Sequence, residues 1–241
     1  MPRITYRLPS DSELRESFEY AIDEHIFINP EKFGELPERV IREVAKRVAE
    51  KLFPEFKRRF LGTLKARLAD LEADMMEALG DTYPIREIVG DLAEEVYRAL
   101  PKYWSEFERE AKTITVPEEP AASDVFSSSI RGKTIAVEID PQGLLNYVLY
   151  AAAELVLDMM PEEESENYSV ADVVRFAIWY LKRRGKMEEL RRELERVRVR
   201  GLRDAIEEWV SSVFDEVWER MEKVIDSEVS KELRQVRVGA K

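Results

Sequence analysis

Apolar residues recur every three or four positions over most of this chain, and this spacing constrains the fold more than any other feature of the sequence. Residues spaced in this way fall on one face of an α-helix, which is buried when the helix packs against its neighbours. The pattern is longest near the end of the chain, where the apolar set is Ile206, Trp209, Val210, Val213, Phe214, Val217, Trp218, Met221, Val224, Ile225 and Val229. This stripe is wider than the seam of a two-stranded coiled coil, so we expect the helix to pack against at least two others, in its own chain or in a partner.

Helical spacing continues through most of the remaining sequence and is interrupted at proline, glycine and capping residues. A serine followed three residues later by an acid predicts a helix start at Ser10 and again at Ser169. Residues 36–79 are predicted to hold two helices or one bent helix, because Pro54 interrupts the apolar pattern. We therefore expect a mainly α fold, a bundle of about seven helices in a single domain over residues 1–241. A division into helical parts 1–116 and 133–241 is the alternative.

A small β element is predicted in the middle of the chain. Lys112–Val116 and Lys133–Ile139 are rich in β-branched residues and are predicted to form a hairpin or two edge strands. The connection between them, residues 117–132, is interpreted either as a disordered surface loop or as a contact loop. Short strands are also predicted near the two ends, at Ile4–Leu8 and Val236–Val238.

Composition excludes several classes of function. The 50 acidic residues outnumber the 38 basic ones, and the resulting net charge of −12 repels phosphate backbones and anionic membranes. The absence of cysteine excludes disulfide scaffolds, thiolate metal sites and a cysteine nucleophile. The one histidine, His25, is interpreted as a residue that interacts with the end of its own helix.

The same composition bears on where the protein acts. No apolar run is long enough and uninterrupted enough to predict a membrane span. We therefore expect a cytoplasmic protein, or an intracellular product of a virus or plasmid, without a membrane partner. The chain has only three Asn and two Gln beside abundant Glu, Lys and Arg, a composition typical of thermophilic proteins.

One short motif matches part of a nucleotide-binding loop, but its surroundings do not fit such a loop. Gly132, Lys133 and Thr134 match the end of a phosphate-binding loop. Ser127 occupies the position of the first glycine of that motif, and a strand rather than a helix is predicted to follow. We interpret the string as a turn entering a strand. We predict no catalytic residue, no cofactor and no metal site.

Two basic stretches give the first alternative function. Residues 51–67 carry a net charge of +5 and residues 182–203 a net charge of +6. Side by side they would bind nucleic-acid backbones without sequence preference. The three phenylalanines of the first stretch, Phe53, Phe56 and Phe60, are interpreted as core residues rather than as platforms for base stacking. Residues 204–232 carry a net charge of −7, which predicts charge pairing with the second stretch instead. The predicted nucleic-acid contacts are Lys57, Arg58, Arg59, Arg183, Arg184, Arg191 and Arg192.

Acidic side chains on two predicted helices give a second alternative, a Mg²⁺-dependent hydrolase. If the two helices lay side by side, their carboxylates could together hold Mg²⁺, which prefers oxygen ligands. Solvated helix faces are the simpler interpretation in a chain this acidic. The residues concerned are Glu87, Asp91, Glu94 and Glu95 on one helix and Glu154 and Asp158 on the other.

The wide apolar stripe, the predicted terminal strands and the complementary charge blocks together favour a protein that works by contact with other chains. We hypothesise a non-enzymatic helical assembly or adaptor protein that self-associates or joins other protein subunits. The predicted contacts are the terminal strands and three residues of the last helix, Trp218, Met221 and Ile225.

Overall fold

A computed structural model of the chain describes residues 3–197 and 201–239, with the side chains of all of these except 112 and 237–239. The strands are β1 (Arg3–Arg7), β2 (Phe126–Arg131) and β3 (Thr134–Ile139). The α-helices of the described residues are α1 (Asp11–Ile28), α2 (Pro30–Phe33), α3 (Glu38–Ala66), α4 (Leu68–Asp81), α5 (Ile85–Glu110), α6 (Ala122–Val125), α7 (Pro141–Met159), α8 (Glu162–Ser165), α9 (Val170–Arg184), α10 (Met187–Arg196) and α11 (Leu202–Gly239).

The mainly α fold with a small β element is confirmed, since 78% of the structure is helical and the strands form one antiparallel sheet. Helices α1 and α9 begin where the capping residues predict. The Ser10 hydroxyl accepts a hydrogen bond from the Glu13 backbone N–H at 3.2 Å, and the Glu13 carboxylate accepts one from the Ser10 N–H at 2.6 Å. Ser169 makes the same capping box, and Gly185, with φ of +70°, ends α9.

Two helices occupy residues 36–79, but the break between them is not at Pro54. Pro54 lies inside α3, and the chain leaves the helix at Arg67. A proline removes one backbone hydrogen bond from a helix. Beyond it, Phe56, Phe60 and Leu64 are all buried, and this apolar face keeps the helix continuous.

The predicted β pairing was wrong in one of its two strands. Residues 111–113 form a 3₁₀ turn, and residues 114–121 are not in a strand. The partner of β3 is β2, which lies inside the predicted loop 117–132. A two-residue turn joins the two strands, and its first residue, Gly132, has φ of +61°, the backbone conformation that glycine adopts without strain.

The C-terminal strand predicted at Val236–Val238 is also wrong, because these residues belong to the last turns of α11. Their alternating pattern is too short to interrupt a helix of 38 residues whose preceding turns are already formed. The irregular stretch predicted around Arg196–Gly201 agrees with the end of α10 at Arg196, while residues 198–200 lie outside the described part of the chain.

The chain divides into two compact units. The first unit comprises Met1–Tyr6, Leu68–Arg131 and Ile135–Glu207, and the second comprises Arg7–Arg67, Gly132–Thr134 and Glu208–Lys241. Residues 117–131, where the alternative domain boundary was predicted, lie within the first unit. A single domain stays a prediction.

The first unit is built around α7, the most apolar helix of the sequence. Helices α5, α9 and α10 pack against α7, and α4 packs against α6 and β2. Strand β3 is the central strand of the sheet, with the order β1-β3-β2. Its residues Ile135, Val137 and Ile139 are buried, and because alternate residues of a strand share a face they place one face of the sheet in the core.

The second unit is built on the packing of α1 against α3. Its core is aromatic: the rings of Phe18 and Phe56 stack with centroids 4.3 Å apart, and Phe214 meets Phe56 edge-on at 4.9 Å. Phe56 and Phe60 are therefore core residues, as the helical spacing predicts, and are unavailable to stack on nucleic-acid bases. Phe53, for which the same was predicted, is only half-buried.

Candidate functional site

The pairing of β1 with β3 determines which backbone groups of β1 face outward. The Leu8 N–H donates to the Lys133 carbonyl oxygen at 2.9 Å, and Arg3 Nε lies 3.9 Å from Glu138 Oε1. Both contacts fit one antiparallel register, in which residues that bond the neighbouring strand alternate with residues that do not. Leu8 bonds β3, so Ile4 and Tyr6 do as well, and the backbone N–H and C=O groups of residues 3, 5 and 7 point away from β3.

The opposite edge of the sheet, along β2, is closed by α4. The Asp140 N–H donates to the Val125 carbonyl oxygen at 2.8 Å, and the same alternation turns the Ser128 N–H outward. That N–H donates to Glu72 Oε1 at 2.8 Å, and the Ser128 hydroxyl donates to the same oxygen at 2.7 Å. The outward amide of Ser128 is thereby satisfied within the chain, and that of Phe126 donates to the Ala122 carbonyl oxygen.

Among the residues that the structure describes, the outward groups of β1 have no hydrogen-bond partner. Strand β1 has β3 as its neighbour on one side and, within residues 3–197 and 201–239, no strand on the other. Arg3, Thr5 and Arg7 are exposed, whereas Ile4 and Tyr6 are half-buried on the opposite face. The outward N–H and C=O groups can therefore pair with a strand from another chain, and the two arginines flank that surface.

Most of the residues predicted to contact nucleic acid form ion pairs with carboxylates of the same chain. Lys57 binds Asp11, Arg58 and Arg59 lie against Glu55, Arg183 binds Glu106 at 2.7 Å, and Arg191 binds Glu188 at 2.8 Å. Lys57, followed by Lys133, lowers the pKa of the Asp11 carboxyl by hydrogen bonding to it. These pairs reduce the positive charge available for phosphates.

The two basic stretches also belong to different units, and each has its own acidic partners. Lys51 binds Glu228 at 2.8 Å, and Arg67 binds Glu216 at 2.6 Å, so acids of α11 pair with the first stretch. In the second stretch, Lys186 binds Glu95 of α5 at 2.6 Å. Charge pairing within the chain is present, but these partners differ from the predicted pairing of 182–203 with 204–232.

Two of the predicted basic residues, Arg184 and Arg192, have no carboxylate partner in the described part of the chain. Arg192 is exposed on α10. The Arg184 guanidinium lies over the rings of Tyr180 and Tyr103, 5.5 Å and 5.9 Å from their centroids, and donates a hydrogen bond of 3.4 Å to the Tyr103 hydroxyl. These contacts restrain the Arg184 side chain.

The three predicted oligomer contacts on α11 are largely used inside the second unit. Met221 and Ile225 are fully buried, so neither can meet another chain while the unit is folded. Trp218 is half-buried, and its ring lies edge-on to Phe18 at 6.0 Å and to His25 at 5.6 Å. The wide apolar stripe of α11 is therefore explained by packing within the chain.

The acidic residues considered for Mg²⁺ do not form a compact ligand set. Among the described residues, the one group of three or more potential ligands within 4.8 Å contains neither the acids of α5 nor Glu154 and Asp158. Burial, and then the charges of Glu119 and Asp158, raise the pKa of the Glu154 carboxyl. The geometry of these acids therefore does not support the alternative of a Mg²⁺-dependent hydrolase.

The compact group contains His25, Glu222 and Asp226, all in the second unit. No pattern in the sequence connects these three residues. His25 Nε2 lies 2.7 Å from Asp226 Oδ1. Lys32 Nζ lies 3.3 Å from one oxygen of Glu222 and 3.3 Å from one of Asp226, and the hydrogen bond to Asp226 is the main cause that raises the pKa of Lys32. A lysine ammonium thus already lies between the two carboxylates.

Hydrogen bonding to the ring of His25 explains why this group is a structural network. The Asn29 side-chain amide donates to the His25 carbonyl oxygen at 2.8 Å, and the same nitrogen lies 3.3 Å from His25 Nδ1. With Nδ1 accepting, the ring proton lies on Nε2 and is donated to Asp226. A metal bound at Nε2 would need that proton on Nδ1, where Asn29 already donates.

Comparison with other proteins adds no function to this geometry. No helix in the described ranges combines the length and apolar character needed to span a membrane. The chain matches no known family model, no curated protein and no solved structure.

Proposed function

We propose that this chain is a non-enzymatic assembly protein that self-associates by adding the β1 strand of a second copy to its own β1 edge. The observation that carries the proposal is the difference between the two edges of the sheet: α4 packs against β2 and satisfies the outward Ser128 amide, whereas the outward groups of β1 have no described partner. Strand addition at an open edge is a common mode of protein association. A cytoplasmic setting is part of the proposal and is compatible with a chain that has no cysteine.

The backbone of β1 suits a two-fold antiparallel pairing centred on Thr5. The outward groups of residues 3, 5 and 7 would meet those of residues 7, 5 and 3 in the second copy. Arg3 would then face Arg7 of the other copy, which is unfavourable, although Glu138 near Arg3 reduces that repulsion. Because salt screens the repulsion, we expect association to strengthen as the salt concentration rises.

Thr5 allows a test that breaks the new pairing without breaking the sheet. Thr5→Pro removes an outward N–H, and the inward bonds of Ile4 and Tyr6 to β3 stay intact. Thr5→Val keeps the N–H and a β-branched side chain, so it is the matched control. Mass measured by light scattering after size exclusion should show a dimer for the wild type and Thr5→Val and a monomer for Thr5→Pro.

Two results would contradict the proposal. One is a monomeric mass for the wild type at high micromolar concentration and high salt. The other is a dimer that persists in Thr5→Pro, since that dimer would use another surface. Circular dichroism of each variant checks that the helical fold is retained.

A further inference from the structure

A cleft of about 420 Å³ lies in the first unit between α5 and the end of α9. Its charged lining residues lie mostly along one face of α5, where Asp91, Glu94, Glu95, Arg98 and Lys102 recur at three- and four-residue spacing. Arg184, Tyr180 and Tyr103 form the other end of the cleft. It therefore combines fixed charges with an aromatic surface.

Ion pairing within the chain neutralises half of the charged residues that line the cleft. Arg98 binds Glu94, and Glu95 binds Lys186. In the described part of the chain, Lys102 and Arg184 have no carboxylate partner, and both line this cleft. The remaining carboxylate, Asp91, is eleven residues from Lys102, or about 16 Å along the helix.

The contacts of Arg184 use one of its guanidinium N–H groups and leave the others available to a ligand. The guanidinium carbon lies over the rings of Tyr180 and Tyr103, and one N–H donates to the Tyr103 hydroxyl. The other N–H groups of a guanidinium lie in its plane and match two oxygens of an anion. An orientation that is fixed before binding reduces the entropy lost when a ligand binds.

We propose that Arg184 and Lys102 form a binding site for a phosphate group at this end of the cleft. Two cations that line one cleft match the charge of a phosphate dianion, and the fork of Arg184 matches its oxygens. The site is independent of the strand pairing at β1. The ligand is a phosphate group, either free or carried on a small organic molecule.

Titration of the full chain with inorganic phosphate, at constant ionic strength, tests the site directly. Adenosine 5′-monophosphate, adenosine and a ten-nucleotide single strand are the further probes. We expect saturable binding of inorganic phosphate at one site per chain, competition between phosphate and the monophosphate, and no binding of adenosine. The single strand should bind no more tightly than the monophosphate, because the net charge of −12 repels a longer anion.

Arg183 is the matched control for Arg184. It is the adjacent residue, but it binds Glu106 and lies over Trp179 outside the lining of the cleft. Arg184→Gln should weaken phosphate binding about tenfold or more, and Lys102→Gln should also weaken it. Arg183→Gln should leave the affinity within about twofold of the wild type.

Three results would overturn the site. The first is the absence of saturable phosphate binding by the wild type. The second is an equal loss of affinity in Arg183→Gln and Arg184→Gln, which indicates diffuse attraction to a basic surface. The third is unchanged affinity in both Arg184→Gln and Lys102→Gln, with unfolding temperatures confirming that the variants are folded.

Discussion

Gly143→Ala should destabilise the chain strongly, because this glycine lies where two segments of backbone meet. Gly143 is in the first turn of α7, and a Cβ added there would lie 2.0 Å from the carbonyl oxygen of Asp124 and 3.0 Å from the Cα of Val125. Ordinary contact begins near 3.4 Å, so α6 or α7 must move by more than 1 Å. The obstructing atoms are backbone, which cannot rotate aside as a side chain can.

The expected size of this effect follows from two opposing contributions. Overpacking against a rigid neighbour costs about 1–3 kcal/mol, and more when backbone must shift. Alanine is better than glycine in a helix by about 0.5–1 kcal/mol. We expect a net loss of about 2 kcal/mol, which lowers Tm by about 4–8 °C for a chain of this size.

Gly90→Ala provides the control in the same unit. Gly90 lies within α5, and nothing lies within 4 Å of a Cβ added there, so this variant should gain about 0.5–1 kcal/mol from helix propensity alone. Thermal unfolding followed by circular dichroism compares both variants with the wild type. A Gly143→Ala variant as stable as Gly90→Ala would refute the close approach of α6 to α7.

Two further substitutions test local features of the fold. Burial, and then the charges of Glu119 and Asp158, raise the pKa of the Glu154 carboxyl, so its ionisation opposes folding. Glu154→Gln should therefore raise Tm at pH 7 and leave Tm unchanged well below pH 4.5. A lower Tm of the variant at pH 7 would contradict this prediction. Ser169→Ala removes the N-cap of α9 and should lower the free energy of unfolding by about 1 kcal/mol, and Tm by about 2–4 °C. Ser227→Ala, on the exposed face of α11, is the control and should not lower Tm.

The helices were predictable because their signals are local. The capping boxes at Ser10 and Ser169 and the apolar spacing of α11 involve residues within a few turns of one another. The hairpin was harder to predict because Ile114 and Val116 have strand-like composition but lie outside the sheet. The glycine of the turn, Gly132, was the better signal for a partner directly before β3.

The features that define the candidate sites depend on contacts that periodicity does not encode. Nothing in the sequence pairs Glu72 with Ser128, which closes one sheet edge, or His25 with Asp226, 201 residues away. The oligomer contacts Met221 and Ile225 were wrong because a wide apolar stripe has the same appearance whether its neighbours belong to the same chain or to another. The terminal strand β1 was predicted, whereas its open edge required the sheet order.

Amide hydrogen exchange at β1, measured by NMR at low and high protein concentration, tests the proposed strand pairing most directly. The Ile4 and Tyr6 amides bond β3 and should be protected at both concentrations. The Thr5 and Arg7 amides face outward, and self-association predicts that they become protected as the concentration rises. Equally fast exchange of Thr5 and Arg7 at both concentrations would contradict association through this edge.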